Sequence, residues 1–269
     1  MPRKLYHSFC GRCLLKVLTL PFVSKTAGLI LSTRLSKLYI KSFIKKNDID
    51  MNDFEKGNYN SFNDFFVRKI RDGKRSIDLS SDSLISPCDG YLSVYDIDDR
   101  CTLNIKDTVY TLGELFENSE FEGEYQNGKC LVFRLTPADY HRYIYPDNGT
   151  KEENIYINGI FHTVRPVALK SCPVFKTNSR EYTTLHTENF GDILFMEVGA
   201  MLVGKICNHH NVHSFKRGDE KGYFEFGGST IIMMLKKDAA IINNDIAVAS
   251  LNDSEYKVGL GQKIGTKAN

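Results

Sequence analysis

Residues 222–235 read Gly222-Tyr-Phe-Glu-Phe-Gly-Gly-Ser-Thr-Ile-Ile-Met-Met-Leu235. Both ends are strand-forming: Tyr223, Phe224 and Phe226 on one side, Ile231, Ile232 and Met233 on the other. Between them stands Gly227-Gly228-Ser229-Thr230. Glycine inside a strand gives up packing and costs backbone entropy, so it marks a turn, a bulge or a close backbone approach. Two readings follow. The run is a tight hairpin, or the backbone bends here so that a hydroxyl can attack a carbonyl.

From residue 84 onward the chain is a series of short strand-like runs. They include Tyr91–Tyr95, Lys129–Arg134, Ile193–Val198 and Ile231–Leu235. Asp89-Gly90, Asn127-Gly128, Asn158-Gly159 and Asn243-Asn244-Asp245 punctuate them as turn signals. Strands and helices do not alternate over any length, which argues against a doubly wound parallel sheet. The expectation is a β-rich α+β domain with helices at its N-terminus. Asn47 to Ile70 reads as helical or turn-rich.

The 269 residues are 42% hydrophobic, with 17 Phe and 14 Tyr, enough for one large core with a helical extension. Net charge is only +2, but its placement is uneven. Residues 1–47 hold ten Lys or Arg and no acid, so the rest of the chain is mildly acidic. Read as one helix, Leu29 to Lys46 places Arg34, Lys37, Lys41 and Lys45 on one stripe beside Leu31, Leu35, Leu38 and Tyr39. Such a helix can lie in a bilayer interface with its lysines at anionic headgroups. Alternatively it packs on the body with a solvated basic face. Nucleic acid ranks lowest, because few aromatics interleave the charges. No stretch reads as a transmembrane span, since Lys16, Pro21, Ser24 and Lys25 interrupt the most apolar one.

Seven cysteines without regular spacing read as reduced thiols. Cys10-Gly-Arg-Cys13 is the only C-x-x-C, and no second pair follows to complete a zinc ribbon. Cys207-Asn-His-His-Asn-Val-His213 gathers three imidazoles near a thiol, but the spacing suits a polar loop better than a metal site, and no metal is expected. His162 and His186 read as structural or substrate-facing.

The sharper reading of Gly228-Ser229 is an N→O acyl shift. The serine oxygen attacks the carbonyl of its own preceding peptide bond, a base takes its proton, and preplaced donors hold the oxyanion. Glycine on the carbonyl side leaves the attack path open. Elimination of the resulting ester cuts the chain and turns the serine into a pyruvoyl group. That ketone condenses with an amine and accepts electrons from the neighbouring carbon as CO2 departs, the task pyridoxal phosphate performs elsewhere.

Several blocks accompany the glycines in order: Ser61-Phe-Asn-Asp-Phe-Phe66, Ser86-Pro-Cys-Asp-Gly90, Tyr140-His-Arg142, Asn178-Ser-Arg-Glu-Tyr182, Glu188-Asn-Phe-Gly-Asp192, Glu197-Val-Gly-Ala200 and Lys221 to Thr230. Together they resemble the phosphatidylserine decarboxylase proenzymes of the clostridial and eukaryotic-like type. The resemblance runs from about Asn47 to the C-terminus. It implies a basic amphipathic region over 1–46 and a decarboxylase domain over 47–269. It implies self-cleavage between Gly228 and Ser229 into a β chain, 1–228, and an α chain, 229–269. The implied cofactor is a pyruvoyl group made from Ser229. Asp89 matches the acidic member of the family's charge relay, which would orient an imidazole, and His141 matches a histidine that assists decarboxylation. The implied substrate is phosphatidylserine, and the implied location is peripheral, on the cytoplasmic side of the cell membrane; a homodimer is compatible with this reading.

One position departs from the pattern. The family's Tyr-His-Arg-x-His supplies its relay base from the second histidine, and here the chain reads Tyr140-His-Arg-Tyr-Ile144. Ile144 accepts no proton. Either His141 takes over, or another histidine does, or self-cleavage is slow or absent. His141 and Ile144, three apart, would face opposite ways on a strand. The alternatives are therefore a non-processing, lipid-binding relative, or a pyruvoyl enzyme acting on a different serine-bearing substrate.

Overall fold

The computed structural model describes residues 9–169, 172–200, 205–226 and 229–268. Gly227 and Gly228 therefore lie outside the described residues, as do the side chains of Cys10 and Cys13.

The body is built on a nine-stranded antiparallel sheet. Its middle is the strand Ser229–Leu235, flanked by Gly191–Gly199 on one side and Lys129–Leu135 on the other. Beyond these lie Arg180–Thr187 and Gly90–Asp96. All seven residues of Ser229–Leu235 are buried. A strand covered on both faces needs no polar alternation, which is why Ile231-Ile-Met-Met-Leu235 is apolar throughout. The strand runs expected from sequence are all present, each longer by one to three residues. With helices concentrated at the N-terminus, the architecture is α+β.

The hairpin reading of residues 222–235 is overturned. The strand Glu220–Phe224 belongs to a separate three-stranded sheet, between Ile206–Asn208 and Arg142–Ile144. The chain thus leaves one sheet at Phe224 and enters the centre of another at Ser229. Gly222 is required where these strands crowd: a Cβ there would collide with the Cys207 carbonyl oxygen and the Tyr143 hydroxyl.

The single helix expected over Leu29–Lys46 is also corrected. The structure has a helix Pro21–Leu31, a 3-10 turn Arg34–Lys37 and a helix Leu38–Asn47. Hydroxyls cause the break. Ser32 donates to the Gly28 carbonyl, Thr33 to that of Ile30, and Ser36 to those of Leu31 and Thr33. Such side chains offer the backbone an alternative to the helical ladder. Ser36 also accepts from the Phe62 amide at 2.7 Å, which ties the arm to the body. No helix among the described residues is long and apolar enough to cross a membrane. The arm nevertheless leaves Leu29, Leu35, Leu38 and Tyr39 exposed beside Arg34, Lys37, Lys41 and Lys45.

Candidate active site

Strand register places the central pair. Ser229 lies opposite Leu135 on one side and Gly199 on the other. The chain turns immediately after Leu135, through Thr136-Pro-Ala-Asp139. Asp139 latches this turn: its carboxylate accepts from the Thr136 amide at 2.6 Å and from the Thr136 hydroxyl at 2.7 Å. The turn returns His141 to the end of its own strand, where Ser229 begins.

His141 and Ser229 are both fully buried. His141 Nδ1 is 3.2 Å from Ser229 Oγ, and His141 Nε2 is 2.9 Å from the Thr136 carbonyl oxygen. A carbonyl can only accept, so Nε2 carries the proton. In a neutral ring Nδ1 then presents a lone pair to the serine hydroxyl. Burial pushes the His141 pKa down to about 3; the Thr136 carbonyl opposes the shift and the Arg68 charge adds to it. The ring is therefore neutral at neutral pH, with Nδ1 free to accept.

An aromatic wall closes this pair off. Ser61 caps the helix Phe62–Phe66 by accepting from the Asp64 amide, and the helix buries Phe62, Phe65 and Phe66. The Phe66 ring lies 4.2 Å from the His141 ring. Phe226, just before the glycines, packs 4.9 Å from Phe62 and 5.0 Å from Phe66, and its amide donates to Asn63 Oδ1. Phe43 of the basic arm reaches the same cluster, 5.0 Å from Phe62.

Asp89 is elsewhere engaged. Its carboxylate accepts from the Leu260 amide at 2.7 Å and from Arg75 at 2.9 and 3.3 Å. Its hydrogen-bond partners among the described residues are thus an arginine and a main-chain amide, not the imidazole expected from the resemblance. Ile144, at the position where the resemblance implies the relay histidine, packs with Phe54, Ile85, Tyr140 and Leu260 in an apolar cluster. His141 and Ile144 do go to different sides, as their spacing implies.

Sequence reasoning missed two features. The Thr136–Asp139 turn carried a usable signal, a proline at the second position and aspartate at the fourth. The second is an ion pair between Glu197 and Lys221, both fully buried. Glu197 pairs in register with Ile231, two residues along the strand from Ser229. Lys221 also donates to Asn208, and Asn208 donates to Glu181. Burial raises the Glu197 pKa despite the lysine. Its signal was a lone acid inside the apolar run Ile193–Val198.

The other histidines among the described residues sit apart. His210 and His213 stack face to face at 3.7 Å, His209 binds Glu220, and His186 binds Asp192 and Glu152. The His162 amide donates to Asn178 Oδ1. Among the described residues no group of three or more His, Cys, Asp or Glu is placed to hold a metal ion.

The chain matches the profile of the family described as phosphatidylserine decarboxylase over residues 62–266. It is 46% identical over 262 residues to the phosphatidylserine decarboxylase proenzyme 2 of Clostridium acetobutylicum, covering 97% of this chain and 90% of that protein. It is 42% identical over 268 residues to the phosphatidylserine decarboxylase proenzyme of Clostridium botulinum (strain Hall), covering 97% and 91%. The corresponding Clostridium tetani protein is 41% identical over 251 residues, covering 91% and 84%. With three quarters of its length matched by the family profile and near full-length relatives above 40% identity, the chain belongs to the phosphatidylserine decarboxylase family.

Proposed function

We propose that this chain is a phosphatidylserine decarboxylase that makes its own pyruvoyl group by cutting itself between Gly228 and Ser229, and that the product lipid is phosphatidylethanolamine. The observation that carries the reading is the buried contact of 3.2 Å between His141 Nδ1 and Ser229 Oγ, directly after the paired glycines.

His141 acts first as a base. It takes the Oγ proton as that oxygen bonds to the Gly228 carbonyl carbon, and it returns the proton to the amide nitrogen as the C–N bond breaks. The Cα proton of residue 229 is then removed, the Cβ–O bond breaks, and Gly228 departs as a carboxylate. Water converts the remaining dehydroalanine to the ketone with release of ammonia. The residues fit this group, since the serine that would become it is buried and touches a neutral imidazole that the Phe66 ring covers. Once formed, the ketone supplies an electron sink for the carbon–carbon bond that breaks. Phe62, Phe66 and Phe226 form an apolar lining in which a carboxylate is poorly solvated, which favours its loss as neutral CO2.

In this reading Asp89 does not drive the histidine. It clamps Arg75 in the β chain and the Leu260 amide in the α chain, and so helps hold the two chains together after the cut. The exposed apolar and basic residues of the arm bring the enzyme to an anionic membrane, peripherally and from the cytoplasmic side.

The test is release of CO2 from phosphatidylserine labelled at its carboxyl carbon. The purified protein should release it, and the Ser229→Ala variant should not. A processed protein that leaves the label in the lipid contradicts the reading.

A further inference from the structure

Ser229 is fixed from its own side of the glycines. It lies in register between Leu135 and Gly199, with its hydroxyl 3.2 Å from His141 Nδ1. The chain that approaches the glycines from the other side is fixed as well. The Phe224 amide donates to the His141 carbonyl at 2.9 Å, and the Glu225 amide donates to the Lys205 carbonyl at 3.0 Å. The Phe226 amide donates to Asn63 Oδ1 at 3.0 Å. The first two acceptors are main chain, which any residue type would supply. The third is a side chain 163 positions away, and it depends on the residue being able to accept.

Asn63 stands on the helix Phe62–Phe66, and that helix touches both reacting parties. Its Phe66 ring lies 4.2 Å from His141, and its Phe62 ring meets the Phe226 ring edge-on at 4.9 Å. The helix is itself held from outside the site. Ser61 caps it, the Ser36 hydroxyl accepts from the Phe62 amide at 2.7 Å, and the Val67 carbonyl just after it accepts from Arg142 Nε at 2.9 Å. Base and approaching chain are thus referenced to one short, anchored piece.

The acyl shift makes a geometric demand that this piece can meet. Ser229 Oγ must find the Gly228 carbonyl carbon along a narrow line of approach. Glycine imposes little backbone preference of its own, so the direction of that carbonyl is left to the residues fixed on either side. Ring packing alone is a loose guide, because apolar contact is not directional. A hydrogen bond is directional, and Asn63 supplies one at the last residue before the glycines.

Resting on the self-cleavage reading above, we infer that Asn63 is a positioning residue for that step: its side-chain oxygen holds Phe226, and through it the Gly228 carbonyl, in line for Ser229 Oγ. Asn63 exchanges no proton with the reacting atoms. The covalent changes remain those of the shift: the O–C bond forms, the C–N bond breaks, and His141 carries the proton from oxygen to nitrogen. Only the acceptor oxygen of Asn63 is used. Aspartate can therefore replace it, and a side chain without an acceptor cannot.

The experiment follows self-cleavage of the full chain after cell-free synthesis is stopped, counting only protease-resistant, folded protein. Asn63→Ala should slow cleavage about 10- to 100-fold, and Asn63→Asp should stay within about threefold of wild type. Asn63→Leu, close to asparagine in volume, should be as slow as Asn63→Ala, and it decides the matter if the alanine variant does not fold. Hydroxylamine at saturating concentration intercepts the ester and leaves a small chain that begins with unmodified serine. The slowing should persist under that condition, because it lies in the acyl shift and not in the elimination that follows. Alanine and leucine variants that cut at the wild-type rate overturn the assignment. So does an aspartate variant as slow as alanine, or a slowing that hydroxylamine abolishes; in all three cases a wild type that cuts leaves the self-cleavage reading standing. A wild-type chain that stays whole defeats that reading, and the role of Asn63 with it.

Discussion

His141 touches Ser229 with one ring nitrogen and the Thr136 carbonyl with the other, at 3.2 and 2.9 Å. The second bond fixes which nitrogen is bare, and the first puts that nitrogen on the nucleophile. A carboxylate partner is not needed to set this tautomer, because a main-chain carbonyl does so.

The low His141 pKa, about 3, has two consequences. The ring stays neutral from pH 5 to 8, so self-cleavage should be flat across that range. Stability should not be flat. Below about pH 6.5 the unfolded chain takes up a proton at this histidine while the folded chain does not, so stability falls as pH falls, by about 1.4 kcal/mol per pH unit down to about pH 3. Urea titrations of Ser229→Ala at pH 7 and pH 5 should show this loss, and adding His141→Gln should remove it.

Asp139 holds the turn that supplies the Thr136 carbonyl. Asp139→Ala should slow self-cleavage by about 10- to 100-fold, since small misplacement of a reacting group is costly. Asp139→Asn keeps an acceptor oxygen and should retain most of the rate. Nitrogen NMR of His141 in the Ser229→Ala background should report one tautomer, and Asp139→Ala should mix the two. Equal cleavage rates for the alanine and asparagine variants would exclude the positioning role.

Ile144→His should not accelerate cleavage by more than about tenfold, because His141 already holds the hydroxyl. It places a polar ring among Phe54, Ile85, Tyr140 and Leu260, and should cost about 1–3 kcal/mol of stability. A time course of chain cleavage with a urea titration measures both. A sharp acceleration would mean that Asp89 can still serve a relay through position 144.

Lys221→Met should destabilise the protein by about 3–5 kcal/mol, because it leaves the Glu197 carboxyl buried without its cation. The double variant Lys221→Met with Glu197→Leu should recover much of the loss. Thermal unfolding of both in the Ser229→Ala background checks this.

The contrast among these residues shows what the sequence could carry. The strands were legible because the central ones carry runs of consecutive apolar residues and turn residues bound them. The broken arm was not, because the hydroxyls of Ser32, Thr33 and Ser36 compete with helix formation in a way that hydrophobic period does not register. Ser229 was legible as a candidate from the two glycines before it. The partner of Asp89 was not: Arg75 and Leu260 are 14 and 171 residues away, and only the tertiary fold brings them together. Whether residues 222–235 form a hairpin was likewise decided by pairing with distant strands.

The most direct measurement is the intact mass of the purified chain beside that of His141→Ala and Ser229→Ala. Wild type should separate into residues 1–228 and a 229–269 chain that begins with a pyruvoyl group, and both variants should remain whole. A wild-type chain that stays uncut, or a His141→Ala chain that cuts itself at the wild-type rate, would contradict the assignment of His141 to Ser229.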